Sequence, residues 1–137
     1  MFIFDKSKLI NEWVSINLFG VNDAYDEKCV SVGIENNGKL IAGIVYSDYQ
    51  PDVPIEMSIF SVDKRWCNRH NLKILFSIPF TQYKLRRVQI ICSAKNEGAI
   101  MFVKKIGFKQ EGFHPEAYAD GSDAISFGML KKECRWI

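Results

Sequence analysis

The sequence lacks several features that would assign it at once. It has no apolar run longer than about half the ~20 residues of a membrane-spanning helix, so no membrane partner is expected. It has no closely spaced cysteine pair: Cys29, Cys67, Cys92 and Cys134 stand far apart, without the spacing of a zinc site or a redox motif. No metal is therefore expected, and four free thiols fit a reducing compartment. The opening MFIFDKSK has neither a basic leader nor a small-residue cleavage site, which makes cytoplasmic localisation the expectation. Charge of one sign is scarce, since 18 Lys and Arg against 16 Asp and Glu leave a net charge of +2. That balance gives no argument for nucleic acid. The basic residues that do cluster, Arg65, Arg69, Arg86 and Arg87, lack interleaved aromatic readers. There is no repeat, low-complexity tract or linker, so residues 1–137 are expected to form a single domain.

Apolar and aromatic residues are plentiful. Hydrophobic residues make up 47% of the chain, with ten Phe and three Trp, enough for a sizeable core. Leu9, Ile10, Trp13 and Val14 fall at helical spacing, with Ser7 as the expected cap and Gly20 as the stop. CVSVGIE and KLIAGIVYS read as strands joined by Asn37-Gly38, a pair that tolerates the positive φ of a tight hairpin. IEMSIFSV is a third strand. Leu72, Leu75, Phe76, Pro79 and Phe80 make one apolar helix face, which Pro79 should kink or close. RRVQIICSA is again strand-like, Asn96 opens a helix that Gly107 ends, and FKQEGFH and AISFGML are the last strands. The strand–helix–strand unit over 55–62, 69–82 and 88–94 implies a right-handed crossover between parallel neighbours. Hairpins at both ends imply antiparallel pairs. The expected class is α/β, a mixed sheet with helices on both faces.

The connector DKRWCNRHN, residues 63–71, crowds basic side chains and asparagines into a turn without glycine. Two readings stand side by side. It is a solvated loop, or it is an anion site at a helix N-terminus, where unpaired N–H groups carry partial positive charge.

The segment NEGAIMFVKKIGFKQEGF resembles the C-terminal signature of GNAT acetyltransferases: Asn96 opening the last helix, Ala99 three residues on, Gly107-Phe108 closing it. Its continuation, EGFHPEAYADGSDAISFGMLKKE, is similar to the subgroup that acetylates protein N-terminal amines, such as ribosomal-protein alanine N-acetyltransferases. Trp66-x-x-Arg69-x-x-Leu72 looks like a pattern of small bacterial and phage members. The likeness spans roughly residues 30 to 133. It implies a mixed sheet whose two central parallel strands splay, with helices on both faces.

The resemblance further implies acetyl-CoA as co-substrate and direct attack by a primary amine, from a protein N-terminus or a small molecule, within a ternary complex. The cofactor diphosphate would sit on the connector, held by Lys64, Arg65, Trp66, Cys67, Asn68, Arg69 and His70, with Asn96 on the cofactor arm. A strand N–H from Phe60, Ser61 or Val62 would polarise the thioester carbonyl. The connector departs from the family pattern, because Asn68 and His70 replace its small residues. The position that often holds a proton-donating Tyr is Val103. A terminal amine has a pKa of about 7.7–8.0 against about 10.4 for lysine, so an N-terminal acceptor needs a weaker base. Glu56 is the candidate base, and His114 and Tyr118 are candidate substrate contacts. Cys67, near a helix start, is a candidate acidified thiol. The tail CRWI offers a homodimer contact. The competing reading is a catalytically inactive GNAT-fold binding or structural protein with a degenerate cofactor loop.

Overall fold

The structure, a computed structural model, describes all 137 residues. The elements in chain order are β1 (Phe2–Ile3), α1 (Ser7–Phe19), β2 (Val30–Asn36), β3 (Lys39–Tyr46), β4 (Ile55–Ser61), α2 (Arg69–Ser77), β5 (Arg87–Ser93), α3 (Glu97–Lys105), β6 (Lys109–His114) and β7 (Ala124–Leu130). Short 3₁₀ turns occupy Lys64–Trp66 and Lys131–Glu133, and a π turn, Ile78–Gln82, continues α2. The strands form one seven-stranded sheet in the order β1-β2-β3-β4-β5-β7-β6. Only β4 and β5 are parallel.

Local chemistry accounts for most boundaries. Asn37 and Gly38 adopt φ of 53° and 78°, the left-handed pair that closes the β2–β3 hairpin. Asn68 and Asn96 cap α2 and α3, their side-chain oxygens accepting the Asn71 N–H at 2.9 Å and the Ala99 N–H at 3.1 Å. Gly107, at φ 114°, carries the chain out of α3. Two details differ from the sequence reading. Ser7 does not cap α1; its hydroxyl accepts the Ser31 N–H at 3.0 Å and ties the helix to β2. β1 was not anticipated, because its two residues exist as a strand only by pairing with Gly33 and Ile34.

Alternation along β4 divides the molecule. Ile55 and Met57 face the main core with Leu72, Leu75 and Phe76 of α2 and Val103 of α3. Phe60 faces the other way and meets Trp13 of α1 edge-on at 5.3 Å, so Glu56 and Ser58 share the α1 side. Gly43 lets α1 approach β3, since a Cβ there would lie 2.6 Å from a Val14 methyl.

Candidate active site

β4 and β5 pair only at Ile55–Val88 and Glu56–Gln89. Beyond these residues β4 continues to Ser61 and β5 to Ser93, yet they form no further pairs. The sheet is split at the C-terminal ends of its parallel strands, where α/β sheets commonly bind ligands.

Hydrogen-bond parity identifies what β4 offers to the split. Glu56 carbonyl accepts from Ser47 N–H and Val62 N–H donates to Ile41 carbonyl, both at 2.9 Å. Residues of that parity point their backbone groups at β3, and those between point away from it. Ile59 and Ser61 therefore present N–H groups to the split, while Phe60 and Val62 do not. Of the three expected donors only Ser61 is so placed. Ile59 was missed, because parity depends on a register that one sequence does not reveal.

On the α1 side, Glu56 is half-buried beside the last β4–β5 pair, and burial raises its carboxyl above the ordinary carboxylate value. Tyr25, from the α1–β2 connection, lies near Ser58 and Glu56. Its hydroxyl falls short of hydrogen-bond geometry with Ser58 and is buried without a partner. Tyr118, in the β6–β7 loop, is raised first by burial and then by Cys92 and Glu56, which places it within electrostatic reach of both. Glu56, Tyr25 and Tyr118, from three segments, thus lie within electrostatic reach of one another. Nothing in the sequence flags Tyr25, which sits in a loop without a motif.

The connector is less open to an anion than its composition implies. The Asp63 carboxylate accepts the Arg65 N–H at 2.9 Å and pairs with the Arg65 guanidinium at 2.6 Å. Arg69 turns to the C-terminal tail, its guanidinium 5.7 Å from the Trp136 ring. Trp66 is buried and packs on Phe102 at 5.8 Å, so its ring is not available to stack on a ligand. Burial raises the Cys67 thiol, and Lys105 only partly opposes this, so the expected acidified thiol is corrected. Asn71 N–H goes to the Asn68 side chain and Leu72 N–H to the Asn68 carbonyl. The N–H groups of Arg69 and His70 remain at the first turn of α2, with the exposed Lys64 and His70 side chains nearby in sequence.

Asn96 is exposed, and its oxygen is committed to the cap. Ser93 and Ser122 hydroxyls meet at 3.2 Å, closing the end of β5 onto the β6–β7 loop. His114 is exposed on edge strand β6, 3.1 Å from the Ser126 hydroxyl. β7 lies between it and β5, which puts it roughly 10 Å from the split. No group of His, Cys, Asp and Glu is arranged to hold a metal ion. No helix is long and apolar enough to cross a membrane. The tail folds back on its own chain, with Trp136 Nε1–H donating to Ile106 carbonyl at 2.8 Å and Arg135 donating to Lys105 carbonyl.

No protein-family model and no curated protein matches the chain. Solved structures do. An IAA acetyltransferase from Bacillus cereus aligns with a TM-score of 0.74 over 95% of this chain and 98% of its own, at 12% identity. A variant of the spermidine N-acetyltransferase SpeG from Vibrio cholerae gives 0.64 over 77% of this chain and 67% of its own, at 18% identity. An acetyltransferase of the GNAT family from Bacillus anthracis gives 0.60 over 77% and 68%, at 20% identity. The chain spans about two thirds of the length of the latter two. At these identities the likeness is one of fold, and the fold is that of GNAT acetyltransferases.

Proposed function

We propose that the chain is an acetyl-CoA-dependent N-acetyltransferase that passes an acetyl group to a primary amine by direct attack in a ternary complex. The observation that carries this reading is the split between β4 and β5, with the Ile59 and Ser61 N–H groups on one wall and Glu56 beside its apex. A thioester laid in the split would have its carbonyl polarised by one of those N–H groups, which are fixed before reaction and need no reorganisation. The amine would approach from the α1 side. Glu56, with its raised carboxyl, takes the ammonium proton directly or through one water, and the neutral amine attacks. The adduct nitrogen would release its second proton to water, and the carbon–sulfur bond would break with loss of the CoA thiolate. Tyr118, within electrostatic reach of Glu56 and Cys92, is the candidate phenol to supply a proton to that sulfur. The cofactor diphosphate would rest on the Arg69 and His70 N–H groups, with Lys64 and His70 as side-chain donors. The resemblance to N-terminal acetyltransferases and the spermidine named for one structural neighbour give two acceptor classes, a protein N-terminus and a small polyamine.

A second reading is a GNAT-fold protein without the reaction. It is favoured by the connector itself, where Arg65 is paired with Asp63 and Arg69 with the tail. Calorimetric titration with acetyl-CoA, followed by assay of free CoA thiol with spermidine or an unblocked tripeptide, separates the readings. Binding with thiol release that saturates in amine supports the enzyme. Binding without release favours the second reading, and absence of binding removes the enzyme reading.

A further inference from the structure

A roomy cavity lies not at the split but at the opposite end of the sheet. It encloses about 890 Å³ beneath the starts of β4 and β5, within the range of small-molecule sites. Three segments build it. Asp52, Val53 and Pro54 precede β4, Lys84 to Arg87 lead into β5, and Leu130 to Lys132 end β7, with Cys134 and Ile137 of the tail closing one side. A backbone bond at 2.9 Å from Lys131 N–H to Arg86 carbonyl locks the second segment to the third.

The charge on this wall is one-sided. Lys84, Arg86, Arg87, Lys131 and Lys132 line it, against Asp52 as the single side-chain carboxylate. Arg87 is satisfied by Glu111, which lies outside the cavity. No ion pair involves Lys84, Arg86, Lys131, Lys132 or Asp52. A chain with a net charge of only +2 has thus gathered four unpaired cations around one concave surface. Like charges held together by the backbone repel, and the concavity strengthens the field they share. The rest of the wall is apolar: Val53, Pro54, Leu85, Leu130 and Ile137.

We infer that this cavity is a second ligand site, for a small amphipathic polyanion that carries a diphosphate on an apolar or aromatic body. A diphosphate brings two to three negative charges, which suits four cations better than one carboxylate would, and Arg and Lys are the usual partners of phosphate oxygens. The apolar residues would cover the body. The site is independent of the acetyl-transfer reading, since none of its residues borders the split.

The test uses ADP as probe on the full chain, followed by amide chemical shifts and calorimetry. ADP should shift residues 84–87 and 130–132. The double variant Lys131→Gln, Lys132→Gln changes only exposed side chains, and it should weaken ADP about tenfold or more while leaving acetyl-CoA affinity unchanged. Inorganic pyrophosphate should bind the same residues more weakly than ADP. The site is refuted if ADP does not bind, if its shifts are confined to residues 68–72, or if the double variant binds it as tightly as the parent. Pyrophosphate binding as tightly as ADP would overturn the role given to the apolar wall.

Discussion

Glu56 sets the pH behaviour of the proposed reaction, and the same burial that tunes it costs stability. Its carboxyl is raised by burial, so the folded chain holds that proton more tightly than the unfolded chain does. The stability linked to this group is therefore full at low pH and is lost as pH rises through the raised folded value. At neutral pH the ionised, half-buried carboxylate is a cost. Glu56→Gln should accordingly raise Tm at pH 7 and leave it nearly unchanged at pH 4, where the parent is also neutral. Melting curves at the two pH values check this, and an equal effect at both would mean that charge burial is not the cause. The same variant should lower kcat/KM about 10²-fold and flatten the acid limb of the pH–rate profile. Cys92 gives the converse case. Burial pushes its thiol up to about 11, so iodoacetamide at pH 8 should label it more slowly in the folded than in the unfolded chain. Equal rates would contradict the burial.

At the scale of elements, the end of α2 shows one residue's defect met by another element. Pro79 has no N–H to return to the carbonyl of Leu75, one turn back. The buried Tyr46 hydroxyl on β3 donates to that carbonyl at 2.7 Å. The chain then leaves the helix through the π turn, closed by Tyr83 N–H to Ile78 carbonyl at 3.0 Å. Tyr46→Phe should cost about 1–2 kcal/mol in urea unfolding, and less in a Pro79→Ala background, where a backbone donor is restored. Additive losses would show that the two residues are not coupled. This element also marks what the sequence discloses. The helix face and the proline were legible because they act within one or two turns. So were the Asn37-Gly38 hairpin and the start of α3 at Asn96. The Asn68 cap acts as locally, but the sequence presents it only as part of a cofactor loop. The donor Ile59 was not legible, and the β4–β5 splay and the Ser61 donor came only through the family resemblance, because each depends on partners fixed only by the assembled sheet. Long side chains were least legible. Arg65 found its partner two residues away, whereas Arg69 found one across the molecule.

At the scale of the whole molecule, the C-terminal tail binds the helical face into one unit. It leaves β7, passes the C-terminal end of α3 through Ile106 carbonyl, and reaches the start of α2 through Arg69. The Trp136 ring has two guanidinium groups near it, that of Arg135 at 4.4 Å and that of Arg69 at 5.7 Å. This assigns Arg69 a part different from the one its position suggests, since a cation at a helix mouth is expected to hold phosphate, while here it fastens a tail. The two parts predict different variants. If Arg69 is a fastening, Arg69→Ala should lower stability by about 0.5–1 kcal/mol, the usual worth of an exposed cation–π contact. Trp136→Ala should cost more, because it also removes the N–H bond to Ile106, and the double variant should show a coupling of about the cation–π value. Acetyl-CoA KM should change by less than about threefold in Arg69→Ala, whereas loss of a charge-assisted phosphate contact would raise it about tenfold or more at unchanged stability. Urea unfolding and steady-state kinetics on the three variants decide between them: a KM effect without coupling to Trp136 would return Arg69 to the cofactor and leave the tail to be held by Trp136 and Arg135 alone.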